Sequence, residues 1–351
     1  MTSTSSLIDS YGRTIRDLRI SVTDRCNFRC LYCLPETEAA ANFYRGRWHE
    51  QDHTPIQHQW KPKSEILSFE EIERITRIAV NTGVNKIRLT GGEPLLRRDL
   101  STLVQKLAAI PGVHDLAMTT NGFLFPKFAQ DLKNAGLHRI SISLDSFDQG
   151  NFKRLTGRNG LDEVLESVEI AKQLDFHPIK INAVVIRDIN DHEIEALCQF
   201  ALDQQLSVRF IEFMPLDSSK AWQKEHVVTG QEILERLQKK FQLTPQKGKS
   251  VSETAKRWSI NQSDGEVGII APVSEPFCGH CNRIRLTADG QVRTCLFSLQ
   301  EHDLKPFLRG EADDEEIAAA LHGIVAKKEA GHKIGKTDFV QPARTMSCIG
   351  G

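Results

Sequence analysis

Two sets of thiols stand out in this chain. Cys26, Cys30 and Cys33 are spaced C-x3-C-x2-C, and Cys278, Cys281 and Cys295 are spaced C-x2-C-x13-C. Three thiolates on one short loop suit a soft metal or an iron–sulfur cluster. A cubane [4Fe–4S] cluster held by three cysteines leaves one iron open to a small molecule. The competing reading is structural zinc with a fourth ligand elsewhere. Zinc sites usually build on C-x2-C pairs, and Tyr32 between the last two cysteines fits that pattern poorly. For the second triplet the rival is a zinc ribbon, with His280 badly placed as fourth ligand because it adjoins Cys281. A second [4Fe–4S] cluster is preferred. Cys198 falls on the apolar stripe of a helix and reads as core.

Other residues gain meaning from where they stand. Thr90-Gly91-Gly92-Glu93-Pro94 follows a strand, so its glycines let backbone approach a ligand closely and Glu93 adds a fixed charge. Arg283 and Arg285 flank Ile284 directly after Cys281. At i, i+2 on a strand the two share a face, and guanidinium forks bind phosphate or a purine edge. His49, His53 and His58 lie in a polar stretch and read as solvated loop histidines.

These groups need a scaffold. Hydrophobic content of 40%, charged content of 26% and net charge −1 are ordinary for a globular protein, and favour neither a nucleic-acid nor an anionic-membrane partner. The start of the chain is polar, with no apolar signal core, and no run reaches membrane-spanning length. Cysteines used as metal ligands fit a reducing, cytoplasmic setting.

Strands are expected at Leu18–Val22, Lys86–Leu89, Leu116–Thr119, Arg139–Leu144, Ile179–Ile186 and Val208–Phe213, with amphipathic helices between them. Ser68-x-x-Glu71 and Thr229-x-x-Glu232 read as capping boxes. Six βα units predict an α/β fold: a parallel sheet curled into an open, incomplete (β/α)6 TIM-type barrel, its site at the C-terminal strand ends. Ala39–Lys63 breaks the rhythm and reads as a long loop, lid or insertion. After Pro215 a helix precedes strand-like runs near Ile269 and Ile284–Leu286; Asp289-Gly290 then turns into a strand at Val292–Phe297. A boundary near residue 216 divides the chain into 1–216 and 217–351.

The first triplet, followed in a βα series by Gly-Gly-Glu-Pro, resembles the radical S-adenosylmethionine (SAM) enzymes. With the second triplet and its arginines, the chain is similar to the GTP 3′,8-cyclase family of molybdenum cofactor biosynthesis. The likeness is carried by Leu18–Pro35, Lys86–Pro94, Thr119-Thr120-Asn121-Gly122, Ser141–Asp145, Lys180-Ile181-Asn182, Met214-Pro215, Phe277–Arg285 and Ile349-Gly350-Gly351. The resemblance implies a C-terminal α+β domain carrying a second [4Fe–4S] cluster. It places the SAM cluster on Cys26, Cys30 and Cys33, and SAM contacts on Tyr32, Gly92, Ser143 and Met214. It places GTP contacts on Arg19, Arg88, Thr119, Lys180, Arg283, Ile284 and Arg285. The auxiliary cluster on Cys278, Cys281 and Cys295 would bind guanine.

The implied reaction is the first step of molybdopterin synthesis. A 5′-deoxyadenosyl radical takes H3′ from GTP, C3′ attacks C8, and a further electron and a proton complete (8S)-3′,8-cyclo-7,8-dihydroguanosine 5′-triphosphate. Implied partners are GTP, a reductant, cyclic pyranopterin monophosphate synthase as the next enzyme, and a second copy of the chain. Arg344 and the Gly-Gly segment are expected to thread into the site. Cys348 departs from the family pattern, where a more polar residue is expected. Two rivals are a radical SAM enzyme acting on peptide or RNA and a zinc-stabilised scaffold protein.

Overall fold

Alternation of side chains builds the sheet. In the computed structural model, which describes residues 5–44, 59–217, 222–248 and 250–350, the six expected strands are present. They are β1 (Asp17–Ser21), β2 (Lys86–Thr90), β3 (Asp115–Thr120), β4 (Arg139–Ser143), β5 (Lys180–Val185) and β6 (Ser207–Glu212). They pair in parallel in sequence order. On the outer face Leu18 and Ile20, Ile87 and Leu89, Ile140 and Ile142, and Val208 and Phe210 are buried. That face packs on helices α2 (Phe69–Asn81), α3 (Leu100–Ala108), α4 (Phe125–Asn134), α6 (Leu161–Gln173) and α7 (Ile194–Gln204). Burying each large aliphatic side chain contributes about 1.5–3 kcal/mol.

The helix starts follow their signals. Ser68 Oγ accepts from Glu71 N–H at 3.1 Å, and Glu71 accepts from Ser68 N–H at 2.7 Å, closing the box before α2. Thr229 and Glu232 do the same before α8 (Gly230–Gln238). Asp313 and Glu316 form a third box, not anticipated, before α10 (Asp314–Ala326).

Downstream of residue 216 the chain returns to the same sheet. β9 (Glu266–Ile270) adds in parallel to β6, and β10 (Arg283–Leu286) adds in parallel to β1. Antiparallel β8 (Lys256–Ile260) and β7 (Leu243–Gln246) extend one edge, and β11 (Gln291–Arg293) and β12 (His302–Asp303) extend the other. The order is β12-β11-β10-β1-β2-β3-β4-β5-β6-β9-β8-β7, with no pairing between the two ends among the described residues. One hydrophobic core spans both halves, from Leu7 to Val325.

Two expectations need correction. Part of the Ala39–Lys63 stretch is regular: Glu38–Tyr44 is helix α1, and Lys63–Glu65 is a single 3-10 turn. Seven residues are too few for a period to register, and a helix that short depends on tertiary packing. Ala40 and Phe43 supply it, clustering with Leu31 and Leu155. His49, His53 and His58 lie outside the described residues. The strand expected over Val292–Phe297 ends at Arg293, leaving Cys295 in the turn beyond it. The buried Arg293 guanidinium binds Glu301 and the Ser298 carbonyl, which bends the chain away.

The remaining helices are α5 (Gln149–Thr156), α9 (Lys305–Arg309) and α11 (Met346–Ile349). No helix among the described residues is long and apolar enough to cross a membrane.

Candidate functional site

The inner face of the sheet is polar. Arg19, Arg88, Thr119, Ser141, Asn182 and Arg209 occupy alternate strand positions and line one cavity of about 220 Å³. Register sets their order: Arg285 stands beside Arg19, and Arg19 beside Arg88, on adjacent strands. Arg88 Nη1 donates to Thr119 Oγ1 at 3.1 Å and to Ser141 Oγ at 3.2 Å. Burial lowers the pKa values of Arg19, Arg88 and Arg285, and nearby cations add to the effect. Arg19 Nε, Arg209 Nε and Arg283 Nη2 are buried with no hydrogen-bond partner. A buried donor left unmade costs about 1–3 kcal/mol, so these N–H groups await an acceptor.

Cys278, Cys281 and Cys295 line the same cavity, with Phe277, Met214, His332 and Met346. Burial alone would raise the Cys281 thiol, but the charges of Arg283 and Lys328 reverse this and bring it to about 7. His280 is exposed and lines none of this wall.

A second cavity, of about 190 Å³, lies at the C-terminal strand ends. Cys26, Cys30 and Cys33 line it from the β1 loop, Thr90, Gly91 and Gly92 from β2 and its loop, Thr120 and Asn121 from the end of β3 and its loop, Ser143 and Asp145 from the end of β4 and its loop, and Met214 from beyond β6. Gly91 and Gly92 are obligatory. A Cβ on Gly91 would come within 2.5 Å of the Thr23 carbonyl, and one on Gly92 would collide with the Arg25 carbonyl. Buried Glu93 holds the turn, accepting from Thr120 Oγ1 at 2.7 Å and Asn121 N–H at 2.8 Å. Burial pushes Glu93 up to about 7.

Tyr32 O–H donates to Asp145 Oδ2 at 2.6 Å, and Val184 N–H donates to Oδ1 at 2.8 Å. Burial pushes Asp145 up to about 6. It also pushes Cys26 up to about 11, helped by Glu93, and Cys33 up to about 12, helped by Cys26.

The two cavities share Thr119, Asn182, Ile211, Met214 and Met346 as common wall. Among the described residues, no group of three His, Cys, Asp or Glu side chains could hold a single metal ion. The thiols surround cavities instead, and none of the six is in a disulfide. Three thiolates around a space with one side open form the donor set for a [4Fe–4S] cluster that keeps one iron for a ligand.

Of the residues expected to meet SAM, Tyr32, Gly92, Ser143 and Met214 all line the thiol cavity at the strand ends. Of those expected to meet GTP, Arg19, Arg88, Thr119, Arg283 and Arg285 line the arginine cavity. The Ile284 side chain lies in the hydrophobic core, which leaves only its main chain near the site. Lys180 lines a larger cavity, about 450 Å³, at the opposite ends of β5 and β6, and Arg209 borders both spaces. Burial and then Arg209, Arg139 and Arg88 pull Lys180 down to about 6.

Sequence reasoning missed Arg209, although the alternation of polar Ser207 and Arg209 with buried Val208 and Phe210 on β6 is the same signal that marks Arg19 and Arg88. It also missed Ser347, which lines the thiol cavity and hydrogen-bonds Cys33. Arg344 lines neither cavity. It pairs with Asp289 at 2.8 Å and Glu301 at 2.9 Å. Gly350 does reach the arginine wall, its carbonyl accepting from Arg285, while Gly351 lies outside the described residues. Cys348 is largely buried near Cys33, with Thr345 Oγ1 at 3.7 Å.

Residues 20–201 match the radical SAM superfamily, and residues 206–334 match Molybdenum Cofactor Synthesis C. The GTP 3′,8-cyclase of Rhodopirellula baltica is 41% identical over 355 residues, covering 100% of this chain and 94% of that protein. The GTP 3′,8-cyclase of Mycolicibacterium smegmatis is 43% identical over 350 residues, covering 98% and 92%. Among solved structures, Streptococcus suis SuiB bound to S-adenosylmethionine superposes with a TM-score of 0.59 at 14% identity, covering 92% of this chain and 68% of that one. That likeness is one of fold.

Proposed function

The chain belongs to the GTP 3′,8-cyclase family, and on that premise we propose that it is a radical SAM lyase converting GTP to (8S)-3′,8-cyclo-7,8-dihydroguanosine 5′-triphosphate. This is the first step of molybdenum cofactor biosynthesis. Its cofactors are two [4Fe–4S] clusters and SAM. Bound there, they would supply the radical chemistry that takes H3′ from GTP and joins C3′ to C8, a further electron and a proton completing the product.

The protein's part is to hold, orient and exclude. Cys26, Cys30 and Cys33 would carry the SAM cluster, and Cys278, Cys281 and Cys295 the auxiliary one. Tyr32, Gly92, Ser143 and Met214 would hold SAM, with Asp145 beneath Tyr32 supplying negative charge. Arg19, Arg88, Thr119, Lys180, Arg283 and Arg285, joined by Arg209, would hold GTP, with the main chain at Ile284 beside the base. Two anchors on one substrate fix C3′ at the common wall, and positioning of that kind accounts for much of the rate such a site can gain. Apolar Met214, Ile211 and Met346 in that wall keep water from a reactive intermediate.

The observation that carries the reading is the pair of adjoining cavities, each with its own thiol triplet and opposite in charge. Residues 1–216 would form the radical-generating partial barrel and residues 217–351 the auxiliary-cluster part. The same reading implies a cytoplasmic homodimer that hands its product to cyclic pyranopterin monophosphate synthase.

The test incubates anaerobically reconstituted protein with SAM, dithionite and GTP. It should contain about eight irons per chain, release 5′-deoxyadenosine and form the cyclised nucleotide. Unchanged GTP while a peptide or RNA is consumed would overturn the substrate assignment. Stoichiometric zinc without iron would overturn the enzyme.

A further inference from the structure

The thiol cavity requires an electron from outside, which raises the question of where a donor can approach. The loop carrying Cys26, Cys30 and Cys33 forms one wall of that cavity. The end of α5 braces the loop: Arg29 N–H donates to the Thr156 carbonyl at 2.7 Å, and Leu31 N–H to the Leu155 carbonyl at 2.9 Å. Phe152 and Thr156 of this helix line the cavity itself.

The outward side of the same elements is cationic. Arg25 stands exposed beside Cys26, and Lys153 and Arg154 are exposed in the last turn of α5. Arg158, just beyond, is also exposed; its Nη1 donates to the Asn27 carbonyl at 3.3 Å, inside the thiol loop. Arg29 completes the rim. Its partner Glu36, at 2.5 Å, offsets one charge, and Glu38 is exposed nearby at the start of α1. The whole chain carries a net charge of −1, so this local excess is not a bulk property. Lys153 and Arg154 also complement the helix dipole, a role open to neither Arg25 nor Arg158.

We propose that the rim formed by Arg25, Arg29, Lys153, Arg154 and Arg158 is the docking surface for a small acidic electron-carrier protein that reduces the first cluster. The inference rests on the radical SAM reading above. The exchange balances simply: the reduced carrier loses one electron and the cluster gains it, with no bond made or broken. Opposite charge across such a contact speeds encounter, and salt weakens it.

Reduced acidic flavodoxin serves as the probe, against dithionite as a donor that needs no docking. In the holoenzyme, Lys153→Glu/Arg154→Glu, with and without Arg158→Glu, should raise the flavodoxin KM for 5′-deoxyadenosine formation by about tenfold or more. Calorimetric binding of oxidised flavodoxin to the holoenzyme should weaken in parallel, and in the unaltered protein it should weaken steeply with salt. Dithionite-driven turnover should stay unchanged. Unaltered flavodoxin Kd and KM in the charge-reversed protein would overturn the docking surface. So would an equal fall of the dithionite rate, which would mean that the rim only supports the loop. If the unaltered protein makes no 5′-deoxyadenosine even with dithionite, the radical SAM reading itself fails, and this inference with it.

Discussion

The two cavities carry the same donor set, three thiols, in opposite fields. Among the described residues, the cavity at the strand ends is lined by Asp145 and by no lysine, arginine or histidine. The other is lined by Arg19, Arg88, Arg209, Arg283 and Arg285 and by no aspartate or glutamate. A thiol triplet does not therefore choose its ligand; the surrounding charges do. A sulfonium and an ammonium suit the first field, and a triphosphate suits the second. Cys26 and Cys281 reflect the difference, since burial and Glu93 push Cys26 up while Arg283 and Lys328 pull Cys281 down; Cys295, deeper in the second cavity wall, is raised by burial.

The comparison is most exposed to removal of single thiols. Cys30→Ala should abolish both 5′-deoxyadenosine release and GTP cyclisation, whereas Cys281→Ala should retain some uncoupled SAM cleavage and lose only cyclisation. Chromatography of both products decides it, and equal loss of SAM cleavage in the two variants would dissolve the division of labour.

Next in size are the charges. Arg285→Ala should weaken GTP binding by about 1.5–3 kcal/mol, the worth of a charge-assisted hydrogen bond, and leave SAM binding intact. Asp145→Asn should weaken SAM by about 1.4 kcal/mol, tenfold in Kd, and leave GTP intact. Calorimetry on each ligand separates them, and a variant that harms both ligands equally would show that the cavities do not sort charge.

A third test uses pH, where the two ligands should respond with opposite sign: Asp145 lines the thiol cavity, and Lys180 lies in the space that Arg209 joins to the arginine cavity. Burial raises Asp145 to about 6, so its charge is lost as pH falls through that value and SAM affinity falls with it. Burial and neighbouring cations lower Lys180 to about 6, so it is neutral above that value. GTP binding must then draw a proton from solvent, and its affinity should fall as pH rises, by up to about tenfold per unit. Proton uptake measured in buffers of differing ionisation enthalpy would show it; a flat GTP profile would remove Lys180 from the phosphate set.

The smallest effect is expected outside both cavities. Arg344→Ala should cost about 1 kcal/mol of stability by freeing Asp289 and Glu301, with neither ligand's Kd altered. A changed Kd would mean that this anchor acts on the site.

The scaffold was legible where signals are local. Six strands were located to within a residue or two because apolar alternation is strong, and Ser68 and Thr229 marked helix starts by chemistry that acts over three residues. Asp313-x-x-Glu316 carries the same signature and went unread. The thiols were legible because their spacing is chemical. What stayed hidden is long-range. Nothing in Glu266–Ile270 or Arg283–Leu286 says which strand each will join, since pairing with β6 and β1 depends on the finished sheet. Arg209 was missed for a related reason, because one polar residue in a strand acquires meaning only when the sheet sets it beside Asn182 on the same wall as Arg19 and Arg88.

The pairing of β10 with β1 fixes a timetable for synthesis. Asp17 finds Arg283 only after most of the chain has left the ribosome. Until then β1 has an unpaired edge, a template for misassembly. The strand leading into Cys26 is thus among the first made and the last secured. A nascent or truncated chain would therefore present its three N-terminal thiols beside β2 but on an unfinished sheet.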